Sequence, residues 1–406
     1  MIYKGFRSSK VFGIKVLPFY LFTFLLFMFT GCIEEYEADI PSEDTNLLVV
    51  EGTICSGKQN KFILSYTKSV NTSEAPPTMV YGAIVSVRGS DGSEYMTTQG
   101  NDGSYLCQID ALAPDVEYYL HIEVGGEVYE SYPQKPLRTE EIADVRGVQD
   151  TPESDIDVLI TPDTPFDPDQ THYYSWTYDE TWEVHPAYTT FIYYDVENRT
   201  SAINPRQFSW RGWMDATSST IMIGASTNYD GEHIQKLKLY DISRNNKRVF
   251  YRYSGLVHQR AISKAEYEYE SARRQAGMEM GGLFTPQPSA LPTNIHCLTS
   301  KKHVIGFVGC SLNTSEYRFF LNAEDFSILY PKANDTRVWL VNPSHEVCLG
   351  MVIQGYYLCE WFVSGTDGSL QTAWATIEQL DVRCQGAYIE EPDFWPQEDD
   401  ESNEDE

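Results

Sequence analysis

Between residues 47 and 138 the apolar positions recur in short blocks, each closed by glycine, aspartate or serine. Leu47 to Ile54 is an apolar, β-branched run followed by Cys55-Ser56-Gly57, and it reads as a first strand. Phe62 to Tyr66, Ala83 to Arg88, Glu94 to Thr98, Ser104 to Ile109, Tyr118 to Val124 and Val128 to Tyr132 continue the series. Ser90-Asp91-Gly92, Asn101-Asp102-Gly103 and Gly125-Gly126 stand between them, where the chain needs positive φ or a tight reversal. Seven short strands at this spacing predict a sandwich.

Leu112-Ala113-Pro114-Asp115-Val116-Glu117-Tyr118 resembles the tyrosine corner of fibronectin type III domains, which makes Tyr118 structural. Gly82 to Val87 with Gly103-Ser104-Tyr105 resembles the carboxypeptidase-regulatory type of seven-stranded domain. Both imply an Ig-like or fibronectin-like sandwich, and neither implies a function. The sandwich is expected over 46–138, ending at the two prolines of Pro133 to Arg138. A second β-rich domain follows over 139–396, with strands predicted at Asp155 to Ile160, Tyr173 to Trp182, Thr189 to Tyr194, Ser219 to Ile223 and Lys236 to Ile242. It carries one predicted helix near 264–277, opened by the capping box Ser263-Lys264-Ala265-Glu266 and stapled by Ile262 and Tyr267.

The amino terminus breaks this pattern. Lys4, Arg7, Lys10 and Lys15 precede an apolar run from Val16 through Phe29, and Thr30-Gly31-Cys32 follows. That order resembles a bacterial lipoprotein signal peptide over 1–31, with Cys32 as the lipidated residue. The alternative is a single membrane span, but the run is short against the roughly 20 residues that a spanning helix needs. Residues 32–45 then form an acidic tether, and its Glu34, Glu35 and Glu37 resemble the export tag of lipoproteins on the outer face of the outer membrane. A plain solvated tether is the alternative.

The formal charge of −29 argues against nucleic acid, since phosphate binding is driven by lysine and arginine displacing counterions. Seven carboxylates crowd the last ten residues, so 397–406 reads as a disordered acidic tail. Eight cysteines in an exported chain suggest disulfides. Without Cys32 seven remain, an odd number, and pairing among Cys348, Cys359 and Cys384 is favoured because they share one region.

The order of motifs is recognisable. Leu48-Val49-Val50-Glu51-Gly52, Ser263 to Glu270, Gly282 to Ser289 with Asn294-Ile295, Val304 to Val308 and Pro392-Asp393-Phe394-Trp395 together resemble the Bacteroidota lipoprotein family of the domain of unknown function 4249. The resemblance implies an outer-membrane lipoprotein, commonly associated with TonB-dependent receptors, with no established reaction. Read as structure, Gly306 leaves one face of a strand without a side chain, and Phe394-Trp395 is a hydrophobic latch for the terminus.

The sequence offers no H-E-x-x-H, G-x-S-x-G or phosphate-binding glycine loop. His121 and His185 read as packing or surface residues. Glu180 and Glu183 flank Trp182, a combination that would suit a glycosidase if the carboxylates converged. Asp155, Asp157, Asp163, Asp167 and Asp169 offer hard oxygens without the EF-hand order, so no metal and no cofactor is expected. The leading expectation is a noncatalytic envelope lipoprotein that binds a small-molecule or peptide ligand beside a TonB-dependent transporter. Trp176, Trp182, Trp210 and Trp213 are the candidate recognition surface, against core packing for each. A structural or adhesive spacer, and a hydrolase with an unrecognised site, are the other two hypotheses.

Overall fold

Leu48–Cys55 buries Leu48, Val50 and Ile54 and is flanked on both sides. In the computed structural model its six-stranded sheet runs Val304–Ser311, Leu48–Cys55, Lys58–Tyr66, Ser104–Ile109 and Thr98–Gln99, with Thr78–Met79 added to Lys58–Tyr66. A five-stranded sheet, Ile295–Cys297, Glu127–Ser131, Tyr118–Val124, Ile84–Gly89 and Glu94–Met96, closes over the same core. The structure describes residues 47–67, 78–164, 171–204, 208–229, 233–278, 291–332 and 334–396. Cys32 with the signal segment, the acidic tether and the 397–406 tail lie outside the described residues.

The sandwich is therefore mainly β as expected, but its strands do not all come from 46–138. Val304–Ser311 pairs in parallel with Leu48–Cys55, and Ile295–Cys297 pairs with Glu127–Ser131. A parallel partner cannot come from a hairpin. It must return from far along the chain, and here it covers what would otherwise be an exposed apolar edge. Gly306 makes the approach feasible: its φ is 128°, and a Cβ there would sit 1.9 Å from the Val50 carbonyl oxygen. The tyrosine corner is present, with the Ala113 N–H donating to the buried Tyr118 hydroxyl at 2.9 Å.

A second core lies between two further sheets. One is centred on Tyr173–Val184, which pairs with Gly212–Thr217 and Met222–Ala225 on one edge and with Arg252–Ala261 on the other, followed by Ser315–Asn322. The other contains Ile142–Val148, Ile156–Pro162 and Leu237–Ile242. The predicted helix is α1, Lys264–Met278. Half of its capping box forms: the Ser263 hydroxyl accepts from Glu266 N–H at 3.1 Å, while the Glu266 carboxylate turns inward to Arg260. Tyr267 and Tyr269 pack on Tyr173 and Phe307, at ring distances of 5.0 and 5.7 Å.

The expectation of a single helix needs correction. α2, His345–Ile353, packs Cys348 and Met351 into a small core with a three-stranded sheet of Val338–Val341, Leu370–Thr376 and Tyr356–Val363. A short α3 spans Ile377–Leu380. In α2 the apolar residues Val347, Leu349, Met351, Val352 and Ile353 surround the axis, so no amphipathic period announces it. The disulfide expectation is overturned too. Cys348 and Cys359 are buried in different small cores, Cys384 is exposed, and all three are free, as are the other four described cysteines. Trp395 is 2% exposed and packs on Phe320 and Trp213 at 5.9 and 6.1 Å, as a latch requires.

Candidate functional site

Where Tyr173–Val184 leaves its sheet, His185-Pro186 turns the chain across the mouth of a cleft of about 970 Å³. One wall is the turn 246–250, whose short 3-10 helix Lys247–Val249 is capped by Asn246 Oδ1 accepting from Arg248 N–H at 3.1 Å. Tyr330, Pro331, Asn334, Thr336 and α3 add to the lining. A smaller hollow of about 410 Å³ continues it past Tyr188 to Arg337 and Glu360.

Aromatic rings shape this space. His185 stacks on Tyr251 at 3.7 Å and meets the exposed Trp210 edge-on at 5.6 Å. Phe250 and Tyr330 lie 5.2 Å apart, and Arg248 covers Trp182 at 4.9 Å. Tyr188 is held by the Thr336 N–H, which donates to its hydroxyl at 2.8 Å. Ring faces offer apolar area at low conformational cost, and the amides of Asn246, Asn334, Gln379 and Gln385 add donors and acceptors between them.

Two buried carboxylates lie beneath. Arg248 Nη1 donates to both Glu180 oxygens at 3.0 and 2.8 Å, and the Tyr253 hydroxyl donates to Oε1 at 2.9 Å. Tyr240 and Tyr253 share a hydroxyl contact of 2.8 Å, and burial pushes both phenols well above their usual range. On the other face of the strand, Glu183 Oε1 meets His185 Nε2 at 2.6 Å and its Oε2 accepts from Arg211 Nη2 at 3.0 Å. Burial opposes its ionisation, but those two hydrogen bonds outweigh it and hold the carboxyl below the ordinary glutamate range. Each carboxylate is thus paired with its own arginine, and the lowered Glu183 is the reverse of what a general acid needs.

The four candidate tryptophans separate. Trp176 is 1% exposed and its indole N–H donates to Gln259 Oε1 at 2.8 Å; Trp213 is 3% exposed beneath the terminal latch. Trp182 is buried with its ring under Arg248 at the cleft wall. Trp210 alone of the four is exposed, at 51%. The expectation of one recognition face built from all four is corrected, because alternate positions of a central strand point into the core. Tyr188, Phe250, Tyr251 and Tyr330 carry the cleft instead. A signal for part of it is legible: Arg244 to Arg252 contains Arg244, Lys247, Arg248 and Arg252 with Phe250 and Tyr251, and no acid, within a strongly acidic chain.

Asp155 and Asp157 of the aspartate-rich loop take separate partners. Asp155 accepts from Ser243 Oγ and Arg244 N–H, and Asp157 pairs with Lys238 at 2.7 Å. Asp167 and Asp169 lie outside the described residues. Among the described residues no group of three histidine, cysteine or acidic side chains is placed to hold a metal ion. His121 packs with Nδ1 2.8 Å from Glu130 and Nε2 3.1 Å from Glu123. No described helix is long and apolar enough to cross a membrane.

The family model described as Domain of unknown function (DUF4249) matches residues 33–317. The match covers the sandwich and most of the second core, and stops within Ser315–Asn322, short of the Phe394-Trp395 motif. The cleft joins matched residues around 182–251 to unmatched ones around 330–385. No curated protein matches the chain.

Proposed function

The chain belongs to the family of the domain of unknown function DUF4249, and from that premise we propose that it is a noncatalytic cell-envelope lipoprotein that binds a ligand in the aromatic cleft. Lipid on Cys32 would hold it in the outer membrane, beside a TonB-dependent transporter to which it passes that ligand. The observation that carries the binding role is the cleft itself: about 970 Å³, walled by Trp182, Tyr188, Phe250, Tyr251 and Tyr330. That is the size and lining of a small-molecule or short-peptide site. The noncatalytic part of the reading rests on Glu180 and Glu183, whose carboxylates are committed to Arg248, Arg211 and His185. The anchor and the transporter are motivated by the signal-like segment before Cys32 and by the family resemblance.

A detergent pull-down of the full-length chain from its native outer membrane, followed by mass spectrometry, tests the partner. A β-barrel receptor recovered in near-stoichiometric yield supports the accessory role. Recovery of the lipoprotein alone removes it and leaves a spacer or adhesin. Substituting Tyr330 by alanine tests the cleft: uptake should fall while the pull-down and the fold stay intact, because Tyr330 lines the cleft and its ring is 53% exposed.

A further inference from the structure

The cleft and the smaller hollow share His185, Pro186, Ala187, Tyr188 and Tyr251, so together they form one elongated trough that ends at Arg337 and Glu360. Its charged groups are spent on one another. Arg248 is paired with Glu180 at 2.8 Å, and Arg337 with Asp335 at 2.9 Å and with Glu360. Glu183 is taken by His185 and Arg211. Lys247 and Glu378, one of each sign, are what remains among the described lining residues. An ionic occupant of either sign therefore finds its counter-charges already taken, and an anion is opposed further by the formal charge of −29.

Three tyrosine rings are fixed along this trough. Tyr188 lies under the Arg337 guanidinium at 4.6 Å, and its hydroxyl accepts from Thr336 N–H at 2.8 Å. Tyr251 is backed by the His185 ring at 3.7 Å. Tyr330 donates its hydroxyl to the Phe250 carbonyl at 3.2 Å, yet the residue is 53% exposed. A ring held in place before binding loses little freedom when a ligand stacks on it. Its negative face attracts the weakly positive C–H groups of a saturated ring. Around these rings, the side chains of Asn334 and Gln385 take no hydrogen bond among the described residues, and Asn246 engages only its oxygen. A planar amide both donates and accepts, which matches a hydroxyl group that does the same. A purely apolar ligand would instead cover those amides and leave them unpaired, which is costly.

We infer that the trough binds an uncharged oligosaccharide, with sugar rings stacked on Tyr251 and Tyr330 and hydroxyls hydrogen-bonded to Asn246, Asn334 and Gln385. A sugar ring is a neutral unit that presents a C–H face and a rim of hydroxyls at once, and a linear chain of such units follows an elongated trough. The inference rests on the cleft being the binding site and names the chemical class of its ligand.

The test is isothermal titration of the full-length chain in detergent with maltohexaose, cellohexaose, xylohexaose and mannohexaose, beside hexagalacturonate and a capped alanine-serine hexapeptide. At least one of the uncharged saccharides should bind about tenfold tighter than hexagalacturonate and the peptide. Its affinity should change less than about twofold between about 0.1 M and about 1 M salt, over which the Debye length falls from about 10 Å to about 3 Å. Tyr330→Ala should weaken it about tenfold, while Tyr330→Phe, which keeps the ring, should weaken it by no more than about twofold. Circular dichroism checks that both variants are folded. Failure of all four saccharides to bind, an affinity that collapses in salt, or saccharide binding that Tyr330→Ala leaves unchanged would each overturn the inference. Preference for hexagalacturonate or the peptide, lost in Tyr330→Ala, would overturn the saccharide class while leaving the cleft as the binding site. The uptake measurement on Tyr330→Ala reads the cleft without any saccharide, so the two failures are told apart.

Discussion

Arg260→Met should be among the most damaging single substitutions outside the sandwich cores. Arg260 lies on Arg252–Ala261, and its guanidinium grips the Glu266 carboxylate of α1 through two hydrogen bonds, one of 3.1 Å. Their side chains are 16% and 7% exposed. Gly309 supplies the room, since a Cβ there would sit 2.7 Å from both Arg260 Nη1 and Glu266 Oε2. Removing the cation strands a buried carboxylate, a loss of about 3 to 5 kcal/mol in comparable pairs. Glu270 adds to it: burial raises its carboxyl against the pull of Arg273, and Glu266 repels it further. Replacing Arg260 and Glu266 together by methionine removes both charges and should recover at least about 2 kcal/mol of the loss. Urea unfolding followed by tryptophan fluorescence measures all three proteins. A single-variant loss below about 1 kcal/mol, or a double variant no better than the single, would refute the argument, because it would mean that the pair is solvated.

Gly306→Ala should cost about 2 to 6 kcal/mol, combining a strained φ with a collision against the Val50 carbonyl; a variant with an unchanged urea midpoint would show that the parallel strand can shift away. Glu183 has a folded pKa below its unfolded value, so the stability it contributes is complete above about pH 4.3 and is lost as the pH falls through the folded value. Glu183→Gln should therefore flatten the acid limb of stability against pH, and an unchanged limb would contradict the assignment. Native-state thiol labelling should modify the exposed Cys384 and the half-buried Cys297 first, the latter because, against burial, hydrogen bonds with Ser300 and Thr299 hold its thiol below the usual range, while burial pushes Cys359 up to about 11 and Cys310 up to about 12, leaving both inert until the chain unfolds. Seven thiols should titrate in denaturant without reductant from the described region, and a smaller number would reveal a disulfide.

Local pattern alone determined much of this protein. The strands Ser104–Ile109 and Tyr118–Val124 match the expected limits, and the Tyr118 corner and the start of α1 follow from residues adjacent in sequence. Turn chemistry, alternation and capping act over a few residues, so a single chain displays them directly. What required the tertiary structure depends on partners distant in sequence. Val304–Ser311 shows no sign of its parallel pairing with Leu48–Cys55, and α2 lacks an amphipathic stripe because Val347, Val352 and Ile353 are exposed while Cys348 and Met351 enter the core. The tryptophans illustrate the same limit: an indole that packs in a core and one that faces solvent are the same letter, and burial of Trp176 and Trp213 is decided by which face of a strand they occupy. The cleft is the clearest case. Its walls come from residues near 185, 250, 330 and 380, which only folding brings together.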